Sequence, residues 1–523
     1  MVSHVSPCVK LSERIFAHPA IVLNTTEHLL LWLDGALYEY ESMVQMNDLL
    51  TTTNFLTLTY DELEARNIEA RGKRDTVSPE EQEQEYRTYL EGETRIKAVT
   101  LCFSDLEGRF HTLDFDKDYL LASADNLTFD GSSIRGFTLQ RESDLRLQLD
   151  WTSFLWLPAD LFGAGKVLLF ANVLDRTGDP FSSDFRGLLQ KYLRDLKSAE
   201  GLTANVSAEI EGFVVAGVHA EQQFDEKTGF RLISTGGYFH ALPLDPLRQF
   251  VDASVTVHRA LGFKNEKAHP EVAPSQFEIN FSYDNALRTG DLIQLYKLVC
   301  RQVASSMGLT ATFLPKPAMG INGTGMHVNM SLSKNGKNIF YAKNGKRGLS
   351  SEAHDFISRI LNHAQEMCLV LNASVNAYRR LDPHFEAPNQ IKVSSIDRGS
   401  MVRIPVGNEK TARIEVRSVG ADASPYLMLY TLIKTGLDGD SLPAEQEESE
   451  EAQLLPGSIQ EAIGFFGSSE TMKKILGETN VEKYLTFKQS AADRSPKDLG
   501  TQVKTSEIVY HHEVTNQFLW NNF

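Results

Sequence analysis

Cysteine is scarce in this chain of 523 residues, which carries only Cys8, Cys102, Cys300 and Cys368. They lie far apart and form no Cys-x-x-Cys pair. That argues against a disulfide framework and a thiolate zinc site, and a reducing compartment is the simpler setting. Long apolar runs are missing too, since none approaches the roughly 18 to 20 residues that a membrane span requires. The early run Leu29 to Leu33 stops at Asp34, and no basic stretch, apolar stretch and cleavage site follow one another at the start. The expectation is a cytoplasmic protein without membrane attachment. A basic excess is also absent: 52 Lys and Arg face 69 Asp and Glu, for a formal net charge of -17. A nucleic-acid-binding surface is therefore not expected.

What is present is ordinary for a globular protein, with 42% hydrophobic and 23% charged residues. The length implies roughly two to four domains. Residues 1–75 mix short apolar patches with Thr-rich stretches and read as an appended extension whose role the sequence does not disclose. Ser78 before Pro79 is a helix N-cap followed by proline at the first helical position. From Ile96 the texture turns to short β-like runs, Ala98 to Phe103 and Val167 to Val173, with a turn signal over Asp175 to Pro180. This marks a small α+β domain, bounded here at 76–183, with the remaining 184–523 as a larger one. Residues 187–200 read as an amphipathic helix and 353–379 as one or two long helices. The acidic run Glu445 to Glu451 reads as an exposed loop.

Four segments alternate polar and apolar residues with the two-residue period of a strand. In Val206 to Phe213, Glu209 and Glu211 share a face. In Gln276 to Phe281, Gln276, Glu278 and Asn280 do, with Glu271 just upstream. In His327 to Ser331, His327, Asn329 and Ser331 align, and in Arg413 to Arg417, Arg413, Glu415 and Arg417 align. One such strand alone reads better as a solvated sheet face. Side by side, the four would crowd Glu209, Glu211, Glu271, Glu278, Glu415 and His327 onto one surface. So many carboxylates repel one another unless cations sit among them. Oxygen ligands with an imidazole suit Mg2+ or Mn2+ better than zinc. Arginines interleaved with the acids suit phosphate or carboxylate, which is the usual setting of phosphoryl transfer.

Further motifs fall in order along the chain: Phe129 to Phe137, Gly236-Gly237-Tyr238-Phe239, Glu271 to Ile279, Lys316-Pro317 leading to Asn322 through His327, Tyr378-Arg379-Arg380-Leu381 with Phe385 to Pro388, and Arg413 to Arg417. In this order and spacing, over about residues 80–523, the chain resembles the class I glutamine synthetases. The resemblance implies an α+β fold: a β-grasp domain followed by a catalytic domain built on a curved antiparallel sheet flanked by helices. It implies a homododecamer of two hexameric rings, with active sites between subunits. The substrates it implies are glutamate, ammonium or a small amine, and ATP, with two Mg2+ or Mn2+ ions per site.

Site roles come with it. Glu211, Glu271 and Glu278 would hold the first metal, and Glu209, His327 and Glu415 the second. Arg380 and Arg417 would grip glutamate and the phosphoryl group, while Asn322 and Gly323 would bind glutamate. Glu386 would close a flap over the intermediate. Asp130 and Ser133 would form the ammonium site, with Asp130 as the base. Glu266, Phe281, Ser331, Arg403 and Arg413 would contact the nucleotide.

Some positions depart from the family pattern. Asn329 stands where a second histidine often follows the metal histidine, and an apolar Ile321 precedes the glutamate loop, as in the alpha subtype. Asp397-Arg398 replaces Asn-Arg, Ser424-Pro425-Tyr426 replaces Asn-Pro-Tyr, and His269-Pro270-Glu271 replaces His-His-Glu. No tyrosine lies between Gly436 and Ser458, which argues against control by adenylylation there. His240 and His269 read as hydrogen-bonding neighbours rather than ligands, Trp151 and Trp156 as packing residues, and Cys300 and Cys368 as buried and inert. The leading expectation is ligation of glutamate with ammonia. The alternatives are a γ-glutamyl ligase for methylamine, ethanolamine or a polyamine, and a catalytically silent relative.

Overall fold

Two capping boxes stand at the start of the described residues. Thr59 and Glu62 exchange side-chain and backbone bonds at the start of α1 (Tyr60–Thr76), and Ser78 and Glu81 do the same for α2 (Pro79–Gly92), with Pro79 in its first turn. A computed structural model describes residues 54–494, except 135–136, 139–142, 221–228, 242–244, 319, 382–386 and 442–452. Residues 1–53 and the acidic run at 445–451 thus lie outside the described residues. Residue 75, where the extension was expected to end, falls inside α1.

The first sheet holds β1 (Ala98–Ser104), β2 (Phe110–Asp116), β3 (Leu127–Asp130), β4 (Asp144–Trp156) and β5 (Lys166–Leu174), in the order β2-β1-β5-β4-β3. β1 and β5 run parallel and the other neighbours antiparallel. β1 and β5 match the expected runs to within a residue at each end. The Asp175 carboxylate accepts N–H bonds from Thr177 and Asp179 and closes the turn after β5.

The second, ten-stranded sheet follows α3 (Phe185–Glu200). It comprises β6 (Leu202–Ala216), β7 (Asn265–Pro270), β8 (Gln276–Phe281), β9 (Asp284–Asn285), β10 (Leu309–Thr312), β11 (Met326–Lys334), β12 (Lys337–Asn338), β13 (Gln390–Ser394), β14 (Ser400–Arg403) and β15 (Ile414–Val416). Its main path is β13-β14-β15-β11-β6-β8-β7, antiparallel throughout except between β13 and β14. All four segments of alternating character lie in it, on the adjacent strands β15, β11, β6 and β8. On one face Ala204, Val206, Ala208 and Ile210 of β6 join the core, backed by α3, α4 (Pro246–Ala260), α5 (Ala286–Ser306) and α6 (Pro425–Asp438). Their opposite neighbours carry the chemistry.

The helical reading of 353–379 needs correction, because three shorter helices occupy it: Ser351–Asn362, Ala364–Leu371 and Val375–Arg380. The chain turns at His363. It breaks again at Asn372, whose amide bonds back to Cys368, and Ser374 caps the third helix. Trp151, Trp156, Cys300 and Cys368 are buried as expected, and Cys102, Cys300 and Cys368 are free thiols.

A buried seam joins the two sheets. Arg186 of α3 binds Asp291 of α5 through Nε and Nη2 at 2.9 Å each, Asp150 of β4 at 2.8 Å and Asn172 of β5 at 2.7 Å. The Tyr426 hydroxyl adds a 2.6 Å bond to Asp291. The α1–α2 hairpin crosses the same seam. Asn67, 1% exposed, accepts from the Trp156 N–H and donates to the carbonyls of Trp156 and Ala260. Arg71 binds the Gly262 carbonyl and Asp284, and Tyr86 stacks on Phe154 at 4.4 Å.

Candidate active site

The polar face of the second sheet floors a cavity of about 1430 Å3. Register decides which side chains meet there. His327 of β11 lies opposite Glu209 of β6, and Glu211 of β6 lies opposite Glu278 of β8. Glu415 of β15 lies opposite Asn329, and His269 of β7 opposite Glu278. Five strands of unrelated sequence therefore deliver four carboxylates and two imidazoles to one surface, and the short turn between β7 and β8 presents a fifth carboxylate, Glu271. Ser275 holds that turn in a left-handed conformation (φ 62°), and its hydroxyl accepts the N–H groups of Ile233 and Ser234.

Two compact ligand sets result. Glu209, His327 and Glu415 offer donor atoms within 4.8 Å of one another, and so do His269, Glu271 and Glu278. His327 Nδ1 stands 3.6 Å from Glu209 and 3.8 Å from Glu415, is buried, and has no hydrogen-bond partner. Glu415 is fully buried and paired with Arg403 and with Arg417 (2.6 Å). Glu211 sits between the sets. One of its oxygens accepts the Gly325 N–H (2.9 Å) and the Gln276 amide (3.2 Å), and the other is 4.0 Å from His327. Donor chemistry of this kind, carboxylates with a bare imidazole nitrogen, fits divalent cations such as Mg2+ or Mn2+.

The electrostatics carry the same imprint of crowding. Burial, followed by repulsion from Glu211 and Glu278, raises the Glu271 carboxyl to about 7. Burial also raises Glu211. Burial opposes ionisation of Glu209 as well, but His327 and the Asn329 amide outweigh it and hold that carboxyl at about 2.

Arg380, Arg403, Arg413 and Arg417 line the cavity, as do Asn322, Gly323, Glu266, Phe281 and Ser331. Arg380 is fixed by donating to the Arg417 and Ser418 carbonyls. A side chain at Gly323 would meet the Pro315 carbonyl oxygen at 2.6 Å and Arg380 at 2.8 Å, so close packing requires glycine there. Asp130 and Ser133 do not line the cavity. They lie at the exposed end of β3, where Ser132 and Ser133 donate to the Asp130 carboxylate and hold it below the usual carboxylate range. Glu386 lies outside the described residues.

Sequence reasoning gave no role to two further polar residues on this floor. Gln276 links Glu211 to the Gly323 carbonyl, and Asn329 links Arg413 to Glu209. The available signal was spacing, since Gln276 precedes Glu278 by two residues and Asn329 follows His327 by two.

Two family models match the chain: "Glutamine synthetase, beta-Grasp domain" over residues 95–176 and "Glutamine synthetase, catalytic domain" over residues 182–502. The chain is 34% identical over 432 residues to a glutamine synthetase of Thermotoga maritima, covering 80% of this chain and 96% of that protein. To a glutamine synthetase of Clostridium saccharobutylicum it is 36% identical over 437 residues, 80% and 95% respectively. A cryo-EM structure of Plasmodium falciparum glutamine synthetase superposes with a TM-score of 0.71 at 22% identity, covering 78% of this chain and 95% of that one, a likeness of fold. Among the described residues, no helix is long and apolar enough to cross a membrane.

Proposed function

Since the chain belongs to the glutamine synthetase family, we propose that it joins L-glutamate to ammonia in an ATP-dependent ligation. The observation that carries this reading is the convergence of Glu209, Glu211, Glu271, Glu278 and His327 with four arginines in the lining of one cavity, and of buried Glu415 with Glu209 and His327.

A carboxylate is a poor electrophile. Transfer of the γ-phosphoryl group of ATP to the glutamate side-chain oxygen gives a γ-glutamyl phosphate and ADP. Attack of ammonia on its carbonyl carbon then expels phosphate and leaves the amide. Divalent cations, when bound by the two carboxylate–imidazole sets, would neutralise phosphate charge and act as Lewis acids. The protein's own part is positioning. Arg380 and Arg417 orient the glutamate and the phosphoryl group, and Arg403 and Arg413 reach the nucleotide. Asn322 and Gly323 present amide and backbone groups to glutamate. Glu386 is assigned to a flap that keeps water from the acyl phosphate.

Ammonium must lose a proton before it can attack, and Asp130 is the proposed base. Its carboxylate is ionised and exposed, yet does not line its own subunit's cavity. This placement supports an assembly, a homododecamer in the reading adopted here, in which Asp130 and Ser133 of one subunit complete the cavity of the next. Residues 76–183 then form the capping domain and 184–523 the catalytic one. A cytoplasmic location agrees with the three buried free thiols.

Purified enzyme incubated with glutamate, ATP and a panel of amines tests the reading through phosphate release. Ammonium is expected to give the highest kcat/KM. A higher value with methylamine, ethanolamine or a polyamine would move the protein to γ-glutamyl ligation of that amine. No glutamate-dependent phosphate release with Mg2+ or Mn2+ would make it a silent relative.

A further inference from the structure

His269 was expected to be a neighbour that hydrogen-bonds near the site. The geometry points to a different role: His269 is a protein ligand of the first divalent cation, binding through Nε2 beside Glu271 and Glu278. This rests on the two-cation reading above and deepens it.

The tautomer is fixed by the backbone. Nδ1 lies 3.2 Å from the Pro270 carbonyl oxygen and 3.6 Å from Glu271 Oε1, neither of which can donate when Glu271 is ionised, so Nδ1 carries the hydrogen. In the neutral ring the lone pair is then on Nε2. That atom is buried, lacks a hydrogen-bond partner, and faces Glu278 Oε1 at 3.6 Å. The residue as a whole is 7% exposed. A distance of 3.6 Å is too long for a hydrogen bond. A lone pair aimed at a carboxylate oxygen is repulsive unless positive charge lies between them. Two donor atoms on one cation, with bonds of about 2.1 Å each, stand roughly 3 to 3.5 Å apart. The observed gap is close to that span.

The ring is also held in place. Tyr238 and Phe239 stack on one another at 3.9 Å, and both meet the imidazole edge-on at 82° and 87°. Phe239 adopts φ 57°, a strained conformation for a non-glycine residue. His327 repeats the pattern in the other set, with a buried, unpartnered nitrogen 3.6 Å from Glu209. Glu211, which the family pattern would place in the first set, has one oxygen occupied by Gly325 and Gln276. Lys267 Nζ also approaches Glu278 at 3.6 Å, but its side chain is 53% exposed and free to swing into solvent. An imidazole in each set favours Mn2+ over Mg2+.

Pulsed EPR on the full-length enzyme loaded with Mn2+ tests this by detecting 14N coupling to the bound ion. The His327→Gln variant leaves His269 as the only proposed nitrogen ligand, and its Mn2+ signal is expected to retain 14N coupling. Adding His269→Gln should abolish the coupling. His269→Gln alone should weaken one Mn2+ site at least about tenfold by titration. Mn2+ bound to the His327→Gln variant with no 14N coupling would overturn the assignment, leaving His269 as a protonated bridge between carboxylates. Failure of the wild type to bind Mn2+ would instead sink the two-cation reading itself.

Discussion

Two buried clusters of charge lie within this one chain and are finished in opposite ways. At the seam between the sheets, each guanidinium nitrogen of Arg186 has a partner among Asp150, Asp291 and Asn172, and Tyr426 and Gln190 supply further bonds. On the polar face of the second sheet, the carboxylates press on one another, and two imidazole nitrogens have no partner. Burial is similar, so burial does not separate structure from function here. Completeness does: the Arg186 guanidinium is paired at every nitrogen within the protein, whereas the cavity floor leaves imidazole nitrogens unpartnered and carboxylates in mutual repulsion.

The sharpest way to break this comparison is Arg186→Ala. It strands Asp150 and Asp291 without their cation and should cost about 3–5 kcal/mol of folding stability, with or without Mn2+, as read by denaturant unfolding. A cost that vanished when metal was added would place the seam in the same class as the cavity. Next in size is Glu211→Gln. Its kcat/KM should fall at least about 100-fold, while the thermal midpoint of the metal-free protein stays level or rises, because burial and repulsion from Glu278 disfavour the Glu211 charge. A lower midpoint would mean that the floor contributes to folding after all. Asn67→Ala follows, leaving the groups it bonds on Trp156 and Ala260 unpaired for about 1–3 kcal/mol by unfolding.

The smallest effect is a pH dependence. In the metal-free protein Glu271 titrates near 7 when folded and near 4.5 when unfolded. Between these values the unfolded chain releases a proton that the folded chain keeps, so stability falls as pH rises through the window. Relative to wild type, Glu271→Gln should gain stability from pH 4.5 to 7 and hold that gain above 7, by about 1–2 kcal/mol in unfolding series. A gain that instead grew as the pH dropped would reverse the sign assigned to this carboxylate.

The cavity floor was legible in the sequence because strand alternation is local: Glu209-x-Glu211 and Arg413-x-Glu415-x-Arg417 show their shared faces without any knowledge of the fold. The motif order along the chain then gave the family and the α+β architecture. What stayed hidden depends on partners far away in sequence. His269 looks like an ordinary histidine until β7 is laid beside β8, which sets it opposite Glu278. The helix break at Asn372 answers to local side-chain bonds that a polar–apolar pattern does not encode. The helix at 60–76 falls in the stretch that the sequence marks as an appended extension, because Asn67 and Arg71 look like solvated positions until Trp156, Ala260 and Gly262 are brought against them.

That hairpin separates two properties often assumed to coincide. Every residue assigned here to catalysis lies after Arg95, so a chain begun there would keep its full chemical inventory. It would also lose Asn67 and the rings of Tyr86 and Tyr89, and leave Trp156 with an unanswered indole N–H and bare backbone. Chemical sufficiency and mechanical soundness thus begin at different points along this polypeptide.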